Sequence, residues 1–326
     1  MAEAYYSLAG PILKVSAESD DLLAPIDRHL GRLRAEAGAA ERFRLSVRRG
    51  APAELPGGAR IYYRGELDGQ GYCIFGEDET ARYFLIPDRL SFTLPASGGE
   101  GLFTVRTGEE RRLGGTPFFH AIDAALVAGG QTLIHAAAAT LPDRKAAVLI
   151  FGPSGAGKTT VALALLRGGY GLFSDDVAVI RGNGGQFRLW GIPRALKVHR
   201  QTAALFPWLN GCLAGTWDSF GEQPLPMENA GELGRIEAAE PRKVAAVIRL
   251  NPRGAGEHAL RPLAKNEALV SLSADNLRTA TGGMPHYMQS RFGALAKLIQ
   301  ETPTFELTTG DDMEGLGGFI RSRIGA

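Results

Sequence analysis

The sequence predicts an α/β protein in which a large C-terminal α/β domain follows a smaller N-terminal α+β domain. Three observations carry that class. A short apolar run at 146–151 leads into the glycine-rich stretch GPSGAGKTT and then into an apolar helical pattern, a strand, loop and helix in direct succession. A second strand-like run, YGLFSDDVAVI at 170–180, returns immediately after that helix. Upstream of residue 112, several strand-like pieces separated by Gly, Pro and Asp surround one helical pattern.

In chain order, residues 22–41 read as a helix, and ARIYYRG, GYCIFG, ARYFLIP and LFTVRTG read as strands. The arginines of RHLGRLRAEAGAAERFRLSVRR alternate with acids and alanines, the pattern of a solvated face. Glycines and a proline in RRLGGTPFF mark a boundary, giving domains 1–115 and 116–326. Beyond it, FFHAIDAALVAG reads as a helix, QTLIHAAAATL as a strand, PDRK as a turn and AAVLIF as a buried strand. GKTTVALALLRGG then forms a helix stopped by Gly168 and Gly169. Strand-like FRLW and VAAVIRL follow, and the C-terminal region supplies a strand, helices and a final strand in TPTFELTTGDD. The acidic pair in DDMEGL reads as a helix cap with first-turn acids.

A chain of 326 residues, 44% hydrophobic and 22% charged, has the composition of a soluble globular protein with a sizeable core. Its net charge of +1 supplies no general attraction to nucleic acid or an anionic membrane, so neither is expected as a partner. Its two cysteines, Cys73 and Cys212, lie far apart without metal-ligand spacing. The first residues carry no basic leader with an apolar core, and no run approaches the roughly 20 apolar residues of a membrane span. The expected location is the cytoplasm.

GPSGAGKTT fits G-x-x-x-x-G-K-[ST], with Gly152, Gly157, Lys158 and Thr159 in the fixed positions and Ser154, Gly155, Ala156 and Thr160 completing the loop. The chemistry follows from the residue types. Glycines let the backbone wrap a phosphate, its N–H groups and the helix N-terminus donate to the anion, Lys158 reaches the β- and γ-phosphates, and Thr159 offers a hydroxyl to Mg²⁺.

The helix after this loop rises about 1.5 Å per residue, so residues 159–167 carry the chain roughly 13 Å away. Extended residues 171–175 recover about 3.3 Å each, which returns Asp175 and Asp176 to the level of the phosphates. One carboxylate can then bind the metal and the other accept a proton from an attacking hydroxyl. Alternatively, one ligates and its neighbour caps or faces solvent. Because adjacent strand residues point to opposite faces, joint service at one site requires a bend at residues 174–176. A hairpin closed by PDRK would set His135 opposite Gly152 at the mouth of the loop, where it serves the site or simply completes the core. GIPRALKVHR adds Arg194 and Lys197, cations suited to the charge that develops on a transferring phosphoryl group or to gripping a substrate.

The block at 134–180, with its strand-borne histidine, phosphate loop and DD pair in order, resembles the core of the HPr kinase/phosphorylase family. The resemblance implies a phosphoenolpyruvate-carboxykinase-like P-loop kinase domain that uses ATP and Mg²⁺ to phosphorylate a serine hydroxyl. It also implies Asp175 as catalytic acid/base, Asp176 beside the metal, Lys158 and Thr159 on the nucleotide, His135 in the active site, and a homo-oligomer, since the family often forms hexamers.

The chain departs from that family downstream. GQFRLWGIPRALKVHR lacks the acid that members modifying HPr carry there, and EPRKVAAVIRL only loosely echoes their later signature. The pattern is therefore closer to divergent relatives that phosphorylate a peptide hydroxyl or a small molecule such as serine. A nucleotide-gated regulatory ATPase or binding module is the reading from another class.

Overall fold

The computed structural model describes residues 1–37, 41–67, 70–213, 215–277 and 287–324, which divide into two compact units. The first comprises Met1–Leu133 and Leu277–Arg291; the second comprises Ile134–Asn276 and Phe292–Ala326. Both are mixed α/β structures built on large sheets.

In the first unit the strands are β1 (Ala2–Ser7), β2 (Ile12–Ala17), β3 (Arg34–Ala35), β4 (Glu41–Arg49), β5 (Arg60–Leu67), β6 (Gly71–Glu77), β7 (Ala81–Ile86), β8 (Leu90–Pro95) and β9 (Glu100–Val105), with α1 (Asp20–Leu30) between β2 and β3. They form one sheet in the order β3-β1-β2-β4-β9-β8-β7-β6-β5. Phe43, Leu45 and Val47 of β4 are buried while Arg44 and Arg48 on the alternate positions are exposed, the alternation of a strand covered on one face.

The helix expected over 22–41 is shorter. It ends at Leu30, because Arg34 and Ala35 pair with Tyr6 and Tyr5 of β1 and Arg34 donates to Asp27, so sheet pairing overrides helical propensity. Residues 38–40 lie outside the described residues. The first unit also runs past residue 115. Its α2 (Thr116–Ala128) is apolar nearly all round and buries His120 against Phe75 and Phe84, with ring centroids 4.8 and 5.1 Å apart.

The second unit contains β10 (Thr132–His135, which begins in the first unit), β11 (Ala137–Thr140), β12 (Ala146–Phe151), α3 (Lys158–Arg167), β13 (Gly171–Ser174), β14 (Val177–Asn183), β15 (Gln186–Gly191), β16 (Leu196–His199), α4 (Arg200–Leu205), β17 (Glu222–Leu225), α5 (Met227–Leu233), β18 (Arg242–Leu250), β19 (Ala259–Pro262), α6 (Lys265–Asn276), α7 (Met288–Glu301, which begins in the first unit), β20 (Thr304–Thr308) and α8 (Leu316–Ile324). The main sheet runs β10-β14-β15-β18-β12-β11-β13, with β20 also on β18 and β19 on β20, and β16 and β17 form a separate ribbon. Strand β18 pairs in parallel with both β12 and β20. Carboxyl ends of parallel strands are where open α/β sheets bind ligands, and the glycine-rich loop leaves from β12 at that end.

Residues 161–166 of α3 are all buried, in one core with Ile150 of β12, Ile248 of β18, Phe206 and Leu209 after α4, and Leu316 and Ile320 of α8. Removing one such Leu or Ile side chain to Ala costs about 2–5 kcal/mol, so the loop rests on a rigid base. Among the described residues, no helix is long and apolar enough to cross a membrane.

Candidate active site

The loop begins where β12 ends. A Cβ on Gly152 would stand 2.9 Å from the carbonyl oxygen of Leu250 on neighbouring β18, so only glycine fits against that strand. Gly157 adopts φ 97° and ψ 23° at the N-cap of α3, a left-handed turn that aims the following N–H groups back at the loop. Lys158 is buried, and its Nζ donates to the carbonyl oxygens of Gly152 at 2.8 Å and Pro153 at 3.4 Å. Burial lowers its pKa, opposed by the negative charges of Asp176, Asp275 and Asp175. Ser154 and Gly155 form the exposed crest, and Ala156 closes a turn through its N–H to Pro153 O at 3.1 Å. Thr160 shares a 2.8 Å hydroxyl hydrogen bond with Thr202 of α4.

The two aspartates stand where a strand stops. β13 ends at Ser174 and β14 starts at Val177, leaving Asp175 and Asp176 in a two-residue break between strands with different partners, β11 for one and β15 for the other. The register of β11 against β13 shifts at Phe173, and the Ser174 hydroxyl accepts from the N–H groups of Asp176 at 3.3 Å and Val177 at 3.1 Å. The chain thus bends at residues 174–176, where the sequence predicts a bend. Asp175 turns inward, 4% exposed, and accepts a 2.6 Å hydrogen bond from the Thr159 hydroxyl.

Asp176 turns the other way. Its Oδ1 is 2.8 Å from Nε2 of His135, and its Oδ2 is 3.3 Å from Nη1 of Arg194. His135 reaches it from the end of β10. The hairpin register holds from Thr140 opposite Ala147 to Ala137 opposite Ile150 and stops there: His135 stands on β10, which neighbours β14 and not β12, so it meets Asp176 and is not paired with Gly152. The single strand expected at 131–141 is instead two, β10 and β11, because the Ala136 N–H leaves the ladder to donate to Asp176 O at 3.1 Å.

Lys197 is not brought into this cluster. Its side chain is 66% exposed on β16 and its Nζ lies 4.0 Å from Glu222. Sequence reasoning missed Asn276, whose Oδ1 accepts from the His135 N–H at 2.7 Å, and Asp275, whose charge acts on Lys158. No spacing rule connects positions 141 residues apart.

Electrostatics separates the two carboxyls. Burial, reinforced by the charge of Asp176, pushes Asp175 up to about 6 against the opposing Thr159 hydrogen bond and Arg194. Burial also pushes on Asp176, but the His135 hydrogen bond, Arg194 and Lys158 outweigh it and hold that group at about 2. Paired carboxyls driven apart in this way can take different roles, one anionic throughout and one able to hold a proton near neutral pH.

Among the described residues, no group of three or more His, Cys, Asp or Glu side chains is placed to hold a metal ion. A cation here would meet Thr159 and the aspartates and take its remaining ligands from phosphate oxygens and water, the habit of Mg²⁺.

No family model matches the chain, and no curated protein matches it. Among solved structures it is similar to the Hpr(Ser) kinase/phosphatase from Coxiella burnetii, with 12% identity and a TM-score of 0.28, covering 58% of this chain and 94% of that one. What the site can do chemically follows from its own residues.

Proposed function

We propose that the second unit is an ATP-dependent phosphotransferase that moves the γ-phosphoryl group to a hydroxyl, that of a serine on a protein or peptide. One observation carries this reading: the strand break holds the buried carboxylate of Asp175 2.6 Å from Thr159, the first hydroxyl after the loop lysine. The pKa of Asp175, pushed up to about 6 by burial, equips that carboxyl to accept a proton, which a carboxylate serving only the metal would not need.

Loop N–H groups of residues 154, 155 and 157, with those of the first turn of α3, receive the phosphates. Lys158 exchanges its contacts with Gly152 O and Pro153 O for β- and γ-phosphate oxygens. Thr159 and Asp176 would hold Mg²⁺, a hydroxyl and an anionic carboxylate, with Asp176 giving up its longer contact with Arg194 as the cation binds. When bound, the cation neutralises charge shared by the β- and γ-phosphates. Asp175 takes the acceptor's hydroxyl proton as the acceptor oxygen bonds to the γ-phosphorus; the bond from that phosphorus to the bridging oxygen breaks, and its electrons leave with ADP. Arg194 and His135 fix Asp176. The first unit selects the acceptor.

The test offers γ-labelled ATP with Mg²⁺ to the purified protein, a serine-containing peptide library and free serine. Label should move to a peptide, and Asp175→Asn should slow transfer about 10²- to 10⁴-fold while nucleotide binding persists. Hydrolysis without labelling of any acceptor, or unchanged transfer by the variant, would overturn the proposal.

A further inference from the structure

The end of β10 is an awkward place for a functional side chain. The ladder stops at His135, and Ala136 belongs to neither β10 nor β11, so two consecutive N–H groups need partners outside the sheet. Both find them within the site. The Ala136 N–H donates to the carbonyl oxygen of Asp176 at 3.1 Å, and the His135 N–H donates to Oδ1 of Asn276 at 2.7 Å. The imidazole then reaches Asp176 Oδ1 at 2.8 Å from a backbone held on both sides.

Asn276 is built for that task. It is the last residue of α6, only 2% exposed, and its Nδ2 donates to the carbonyl oxygen of Leu272 one turn earlier at 3.0 Å. A carbonyl can only accept and an N–H can only donate, so a single orientation of the amide satisfies both neighbours. Helix α6 is thereby joined to the strand end that carries His135. The preceding residue, Asp275, exerts its charge on Lys158, so the final turn of α6 addresses the histidine and the loop lysine together.

We infer that Asn276 is a positioning residue, which holds the His135 backbone so that the imidazole stays on Asp176. The catalytic part of this inference rests on the phosphotransferase reading; the clamp itself does not. Loss of the amide releases the His135 N–H and lets the ring move away from Asp176, whose remaining contact with Arg194 is longer, at 3.3 Å.

Two measurements decide the matter. In phosphoryl transfer, Asn276→Ala should lower kcat about 10- to 100-fold, the usual cost of removing a group that orients a site residue, with KM for ATP unchanged. Repeated in a His135→Ala background, the same substitution should change the residual rate less than about twofold, because its effect passes through the histidine. The full loss in that background, or a normal kcat in the single variant, overturns the inference.

Amide hydrogen exchange tests the clamp even if the protein transfers no phosphoryl group. Exchange at His135 should accelerate about tenfold or more in Asn276→Ala while β12 amides keep their protection, as expected of one lost hydrogen bond. Should Asn276→Ala not fold, Asn276→Leu, which is apolar and of similar size, supplies the same readout. Asn276→Asp retains the accepting oxygen and should retain protection at His135. An unaltered His135 rate in Asn276→Ala or Asn276→Leu overturns the clamp.

Discussion

Asp175→Asn should slow transfer about 10²- to 10⁴-fold and at the same time make the protein more stable at neutral pH. The wild-type carboxyl ionises at about 6 in the folded state against an ordinary 3.8, because it is buried beside Asp176. A folded pKa raised above the unfolded one means that the native state holds a proton which the unfolded chain has already released. Stability from this group therefore falls as pH rises from 3.8 to 6, and the full penalty applies above that window. The gap of about two pH units, at about 1.4 kcal/mol each, amounts to about 3 kcal/mol. Asparagine removes the charge and still offers an oxygen to the Thr159 hydroxyl.

All three tryptophans, Trp190, Trp208 and Trp217, lie in the second unit, so their fluorescence follows its unfolding in urea. With a urea slope of about 2 kcal/mol/M, the variant's midpoint should rise by about 1.5 M at pH 7.5 without divalent cation, and the two proteins should converge below pH 4. An equal or lower midpoint at pH 7.5, or a gain that persists at pH 4, would show that Asp175 carries no such burden.

Lys197→Ala should leave transfer within about twofold, since an exposed ammonium 4.0 Å from Glu222 contributes little. By contrast, Arg194→Met removes a cation 3.3 Å from Asp176 and should slow transfer by at least about tenfold, read in the same label assay. In the first unit, burial beside Phe75 and Phe84, with the Arg291 charge nearby, lowers His120 to about 3. Here the unfolded chain binds a proton below pH 6.5 that the folded state refuses until about 3, so stability falls as pH falls. Between pH 6.5 and 5 the loss is about 2 kcal/mol, and His120→Met should remove it in urea unfolding followed by far-UV circular dichroism.

Local features of the site were legible because local chemistry dictates them. Strand β12 and helix α3 lie where the apolar run and the glycines put them, and the PDRK turn sets the register of β11 on β12. Features fixed by distant partners were not. Nothing in the alanines at 136–139 marks Ala136 as the point where the ladder breaks, since the break is made by Asp176 O, which lies 40 residues on. The same holds for α1, cut short by a strand pair with β1, and for Asn276, whose value appears only once α6 is laid against β10. Lys197 looked equivalent to Arg194 by composition; three residues along an extended chain are enough to carry it from the carboxylates to an open face.

The stretch from Ser174 to Val177 is where local and global preferences conflict, and that conflict has a chemical reason. Continuing β13 directly into β14 would place successive side chains on opposite faces of one sheet, which would send one aspartate away from the loop. Breaking the strand lets the backbone change neighbours from β11 to β15, with Asp175 turned in to Thr159 and Asp176 turned to His135 and Arg194. The hydroxyl of Ser174 satisfies two N–H groups that the break frees. Asp176 is compensated by His135 and Arg194, whereas for Asp175 burial and the neighbouring Asp176 charge outweigh the Thr159 hydrogen bond and Arg194. A fold selected for stability alone would fill that position with an uncharged residue. Retaining an undercompensated carboxyl there is destabilising at neutral pH but leaves one group able to accept a proton, and the stability of Asp175→Asn measures the size of that concession directly.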